Sequence, residues 1–415
     1  MLLNYKEQIN AHKIKMKKIV VLIFFLILSN ISFAQLKEGF DPEEVRDLIA
    51  ICNSYTFLDL YGTDTLIIPN GYRKVYTSDA FVLDNMFQVY EYDNRGVINF
   101  RGTTTKTSSW LENLYSAMIP GEGTIKVDYK NYPYKFADDT SAAVHSGYAL
   151  ATILLSSELI RQINLLNSKN IYDILITGHS QGGALAHLVR AYLGNLPDSV
   201  ISSKNVFKTY TFANPMCGNK AFATEYETRY SDTNMSYTII NTADLIPKLP
   251  THFQENSKFF GYIRFKYWVY GLDKIDPKNM LNFIIKLFEP VLQVYIKHSN
   301  KLIETLVSAS SYISIDMPPY VNDIDYTHVG NIRTLEPFPV PDTPVDITNM
   351  TEEEIASLDH DQDGNYYYHK ESFYQHKPYN YYVEILREYF SKDYRNLELL
   401  YLHESSEANK PDEKE

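Results

Sequence analysis

The stretch Ile174-Leu175-Ile176-Thr177-Gly178-His179-Ser180-Gln181-Gly182-Gly183-Ala184-Leu185 constrains this chain more than any other. An apolar, β-branched run enters it and a helix-forming run leaves it, so a buried strand must turn into a helix within a few residues. The turn forces the residue at its apex, Ser180, into a strained backbone conformation. Glycine is needed two places before and two places after, because a side chain there would collide with the adjoining strand and helix.

Other runs rich in β-branched and aromatic residues occur at 88–91, 97–100, 171–177, 208–212 and 236–241, with helical patterns between them at 141–168 and 182–193. Strands alternating with helices of ten or more residues imply crossover connections. We therefore expect an α/β fold with a mostly parallel central sheet covered on both faces. From Pro250 to about Tyr326 the pattern changes to an aromatic stretch at 259–270 and an amphipathic tract at 276–313, read as an inserted helical cap over about 251–325. The Pro-rich run 337–344 reads as an extended connector, and the polar, charged 404–415 as a disordered tail.

Before the fold, Met16-Lys17-Lys18 precedes an apolar run from Ile19 to Leu28 and then Ser32-Phe33-Ala34, the three parts of a secretory signal peptide cleaved after Ala34. The run is too short for a spanning helix, which needs about 20 residues. Met16 opens the signal so naturally that residues 1–15 read as lying ahead of the translated start, and the folded domain is expected over 35–403. The formal net charge is −12, and loss of the five lysines and one glutamate of residues 1–34 makes the mature chain more acidic still. Neither nucleic acid nor an anionic membrane is expected as a partner. Two cysteines, Cys52 and Cys217, are too few for a disulfide framework, and a bridge between them is not expected.

The G-x-S-x-G pattern at 178–182, set between strand and helix, is a nucleophile elbow. A serine hydroxyl needs a base to take its proton, and the tetrahedral intermediate needs at least two hydrogen-bond donors. The strand 97–100 running into Arg101-Gly102-Thr103-Thr104 is the donor loop. Together with Trp110-Leu111, Val144-His145-Ser146-Gly147-Tyr148 and Asn214-Pro215, these motifs resemble the class 3 lipases, the fungal-type triacylglycerol lipase family of the α/β-hydrolase superfamily. The resemblance is dense from Phe87 to Pro250 and resumes at Tyr326-Thr327-His328-Val329-Gly330. It implies an α/β-hydrolase fold, with the backbone N–H groups of Thr103 and Gln181 as the oxyanion hole and the Thr103 hydroxyl as an additional donor. Arg101 reads as a structural, salt-bridged arginine, His145 and His179 as packing histidines, and Trp110 as core or lid hinge.

In such hydrolases the order is nucleophile, acid, base. Asp244 follows the strand 236–241 and sits in Asp244-Leu245-Ile246-Pro247-Lys248-Leu249-Pro250, which resembles the family's acid segment. Seven histidines follow it, namely His252, His298, His328, His360, His369, His376 and His403. His376 is preferred because Pro378 can open a helix directly after it, the setting the family gives its base. His328 and His369 stand as alternatives. The expected chemistry is ester hydrolysis through an acyl-enzyme on Ser180 with no required cofactor. A weaker feature, Asp359, Asp361 and Asp363 followed by Gly364, resembles the start of a calcium loop, although Lys370 occupies the position where a bidentate glutamate belongs.

The expected substrate is a lipid or other ester, met at a lipid–water interface, for a protein that is secreted, periplasmic or on the cell surface. No protein partner is expected. Alternatives are a phospholipase, a carbohydrate-ester esterase, or a non-catalytic binding protein that keeps the fold.

Overall fold

The computed structural model describes residues 36–55, 67–104, 106–250, 300–311, 313–323, 325–337, 344–348, 350–356, 358–360, 364–367 and 374–398. The signal sequence, most of the expected cap (251–299), the tail 404–415, His252, His298, His369, His403, Asp361 and Asp363 lie outside these residues.

A seven-stranded sheet runs in chain order through β1 (Arg73–Thr77), β2 (Phe87–Tyr92), β3 (Arg95–Phe100), β4 (Asp173–His179), β5 (Val206–Phe212), β6 (Ser236–Asn241) and β7 (Asn331–Leu335). The first two pairings are antiparallel, and the four from β3 to β7 are parallel. The five expected strands are all present within a residue or two of their expected ends.

Alternation along the central strands divides the side chains between two layers. Ile98, Phe100, Ile174, Ile176 and Phe207 join the apolar core with α3 (Ser146–Ser168) and α4 (Gln181–Leu193). The intervening residues face α1 (Pro42–Asn53), where Cys52 Sγ meets Asn99 and Thr177 and where Glu44 meets Lys208 and Tyr210. Packed against α1 is α5 (Pro378–Tyr389). Cys52 and Cys217 are both buried and are not joined in a disulfide.

One helix boundary differs from the expectation. The pattern at 141–168 reads as a single helix, but Ala143–His145 is a short strand that pairs with Met118–Pro120 and Gly218. Helix α3 starts only at Ser146, where the His145 ring accepts the Tyr148 N–H as its cap. Tertiary pairing outweighs local periodicity at this point. Helix α3 is long and apolar enough to cross a bilayer, yet its buried residues belong to the core between the sheet and α4.

From residue 300 the described chain packs on the body of the fold. A helix spans Asn300–Ser311, Ile315–Asp316 pairs with the hairpin strand Glu122–Val127, and Tyr326 donates its phenol to the Ser116 carbonyl at 2.6 Å. Asp359–His360 pairs with Tyr366–Tyr367 as a short antiparallel hairpin.

Candidate active site

Strand β4 ends at His179, and α4 begins at Gln181. Ser180 between them has φ 59° and ψ −130°, a conformation that non-glycine residues rarely adopt. The neighbouring glycines are demanded by close backbone approach. A Cβ on Gly178 would lie 2.2 Å from the Gly182 carbonyl oxygen, and one on Gly182 would lie 2.2 Å from that of Phe100. The strain is held by the Ser180 N–H donating to the Phe212 carbonyl at 2.9 Å.

His376 ends a short 3₁₀ turn, Tyr374–His376, and Pro378 then opens α5. Its Nε2 lies 2.9 Å from Ser180 Oγ, and its Nδ1 lies 2.7 Å from Asp244 Oδ2. All three side chains are buried. Asp244 stands just beyond β6, where its Oδ1 accepts the Ile246 N–H at 2.9 Å and its Oδ2 also accepts the Tyr381 phenol at 2.8 Å. The carboxylate therefore has three donors around it. Such a chain orients an imidazole so that Nε2 faces the serine, the arrangement general-base catalysis requires.

Of the alternative bases, His328 lies beside His187, and His369 is outside the described residues. His187 is fully buried between the Tyr226 phenol and the Thr211 and Thr238 hydroxyls, and burial lowers its pKa to about 3. His145 is likewise lowered to about 3 by burial, against a partly offsetting bond to the Asn113 carbonyl. His179 packs its ring 4.7 Å from that of His376 and is held neutral by burial. These three are packing histidines.

The donor loop leaves β3 at Arg101. Arg101 forms an ion pair with Asp84 at 2.8 Å, as expected of a structural arginine, and Lys106 pairs with the same carboxylate at 2.8 Å. Burial works against the Asp84 charge, but Lys106, Thr104 and Arg101 outweigh it and hold the carboxyl below its usual range. Trp110 is buried in α2 (Thr107–Leu114) and belongs to the core. Gln181 is the first residue of α4, so its N–H is one of those that a helix leaves without an intrahelical acceptor. The Thr103 hydroxyl donates to Gln181 Oε1 at 2.8 Å and accepts from Asn113 Nδ2 at 2.9 Å. Its proton is thus directed at Gln181.

Several residues around the site carry no motif of their own. Tyr381 links Asp244 to the Asn241 N–H, and Asn241 Nδ2 donates to both Gln375 and Glu384. Asn85 and Glu112 stand behind Gln181. The helical spacing of Tyr381 and Glu384 in α5 marks one face, but nothing in that spacing names their partners. Among the described residues no cluster of three or more acidic, histidine or cysteine side chains has the arrangement of a metal site.

Residues 97–254 match the family described as lipase (class 3). A secreted mono- and diacylglycerol lipase of Malassezia restricta is 25% identical over 164 residues, 39% of this chain and 49% of that protein. One of the same description from Fusarium solani is 30% identical over 138 residues, 32% of this chain and 36% of that protein. The chain spans between a fifth and a half of the length of the curated relatives it matches. Among solved structures, the native Rhizomucor miehei lipase–propeptide complex aligns at 22% identity over 52% of this chain and 65% of that one, with a TM-score of 0.36. The chain has the α/β-hydrolase fold, and over residues 97–254 it resembles the class 3 lipases.

Proposed function

We propose that this protein is a serine ester hydrolase, a triacylglycerol lipase or esterase, that works through an acyl-enzyme on Ser180. The observation that carries the reading is the continuous hydrogen-bond chain from Ser180 Oγ through His376 to Asp244, set on a strained strand-to-helix turn. In this mechanism His376 Nε2 takes the hydroxyl proton as Ser180 Oγ attacks the ester carbonyl carbon. The negative charge that develops on the carbonyl oxygen is met by the backbone N–H groups of Thr103 and Gln181. His376 then returns the proton to the departing alcohol oxygen, leaving an acyl ester on Ser180. Water attacks that ester by the same steps in reverse, releases the acid and restores the serine. The reaction as written uses protein groups and water alone.

Acylglycerols are the substrate class favoured here, because the matched relatives bear that activity in their names. Export through the segment 16–34 agrees with the secreted relatives.

The test is hydrolysis of p-nitrophenyl esters from butyrate to palmitate by residues 35–415, with Ser180→Ala and His376→Ala alongside. Wild-type turnover, reduced by about 10⁴-fold or more in each variant, is expected. Activity that survives His376→Ala would overturn the assignment of the base. No wild-type turnover, together with no labelling of Ser180 by a fluorophosphonate, would favour a binding protein that retains the fold.

A further inference from the structure

Gln181 contributes a backbone N–H to the proposed mechanism, and that role makes no demand on its side chain. Yet the side chain is buried and fully engaged. Its Oε1 accepts from Thr103 Oγ1 at 2.8 Å and from Ser109 Oγ at 3.1 Å, while its Nε2 lies 3.5 Å from Asn85 Oδ1. Ser109 Oγ in turn accepts the Thr104 N–H at 3.2 Å. Two consecutive residues of the donor loop, Thr103 and Thr104, are therefore tied to one amide oxygen, the first directly and the second through Ser109. Behind the amide, Asn85 Nδ2 donates to the Glu112 carboxyl and to the Val82 carbonyl.

Four separate parts of the chain meet here: the turn before β2, the loop after β3, helix α2 and the first turn of α4. We propose that the Gln181 side chain is a positioning residue, a clamp that holds Thr103 and its N–H in register with the Gln181 N–H so that both point at one oxyanion. This rests on the serine hydrolase reading of the site. The Thr103 hydroxyl serves the clamp and does not itself donate to substrate. Its only proton goes to Gln181, and Asn113 already donates to its oxygen. The Glu112 carboxyl anchors the far end. Burial raises its pKa to about 8, so at neutral pH the anchor is uncharged and places no buried anion beside the developing negative charge. Asp84, the nearby acid, has its charge matched by Arg101 and Lys106.

Gln181→Met keeps both the volume and the backbone N–H but removes the amide oxygen. With p-nitrophenyl butyrate, kcat is expected to fall by about 10- to 100-fold while KM stays within about twofold, since the lost contact acts only where the oxyanion forms. Thr103→Val should lower kcat similarly. The double variant should be little worse than either single, because both remove the same tie. An unchanged kcat in Gln181→Met overturns the clamp, and so do additive effects. A raised kcat also overturns it, for that would mean the freed hydroxyl serves the oxyanion directly. If Gln181→Met does not fold, Ser109→Ala, which cuts only the Thr104 tie, should still lower kcat severalfold at constant KM, and an unchanged kcat there overturns the proposal. A wild-type protein with no turnover sinks the hydrolase reading itself, an outcome distinct from active wild type with indifferent variants.

Discussion

Asp244 is held by a phenol as well as by an imidazole. Tyr381 donates to the oxygen that receives His376, and its own oxygen accepts the Asn241 N–H at 2.9 Å. Tyr381→Phe should remove both bonds at once. The Asn241 N–H loses a buried acceptor, so stability should drop by about 1–3 kcal/mol in urea unfolding, and ester hydrolysis should slow by about tenfold as the carboxylate loosens. Unchanged values for both would mean that the Ile246 N–H and His376 suffice to fix the acid. Ser180, Asp244 and His376 are legible in the sequence because each sits in a local pattern of turn, strand end or helix start. Tyr381 is not. It is one of 35 tyrosines, and its partner lies 137 positions away. The same distance hides the Gln181 side chain, whose partners come from segments 72 to 96 residues earlier.

Helix α1 is tied to the sheet by a buried ion pair that no motif announces. Glu44 Oε2 accepts Lys208 Nζ at 2.7 Å and the Tyr210 phenol at 3.0 Å, while Oε1 lies 3.3 Å from Arg95. Lys208 is 1% exposed, and this carboxylate lies 2.7 Å from its Nζ. Glu44→Leu alone should cost about 3–5 kcal/mol by leaving the ammonium buried and unmatched. Adding Lys208→Met should recover most of that loss, since two apolar groups of similar volume have no charge to match. Equal unfolding midpoints for the single and double variants would show that the pair is not the tether. Strand β5 was legible from its β-branched and aromatic run, but a lysine within that run reads as solvent-facing until α1 is placed over it. The start of α3 is hidden from the sequence for a related reason. Periodicity carries a helix through 141–145, and only pairing with Gly218 and Met118–Pro120 makes those residues a strand.

Across the whole molecule, buried titratable groups set a pH window for stability. His145 and His187 are lowered to about 3, and His179 is lowered as well, all by burial. In the unfolded chain each binds a proton as pH falls through about 6.5. The contribution of His145 and His187 is therefore present above that value and lost between about 6.5 and 3, at up to about 1.4 kcal/mol per pH unit for each, and His179 acts in the same direction. Glu112 acts in the opposite sense. With its pKa raised to about 8, its contribution is present below about 4.5 and lost as pH rises through 8. Calorimetry from pH 4 to 9 should give a Tm that falls steeply on the acid side, with a shallower alkaline decline that Glu112→Gln flattens. A Glu112→Gln profile parallel to wild type would show that the carboxyl does not titrate in this range. The sequence by itself determined the layered α/β class, the central strands and the three residues of the proposed catalytic chain, because alternation, turn glycines and a helix-opening proline act over a few residues. Tertiary structure alone decided which polar side chains hold that chain in place. Gln181, Tyr381, Glu112 and Glu44 take their roles from burial and from partners distant in sequence, and burial is what converts an ordinary polar residue into one whose hydrogen bonds must all be met.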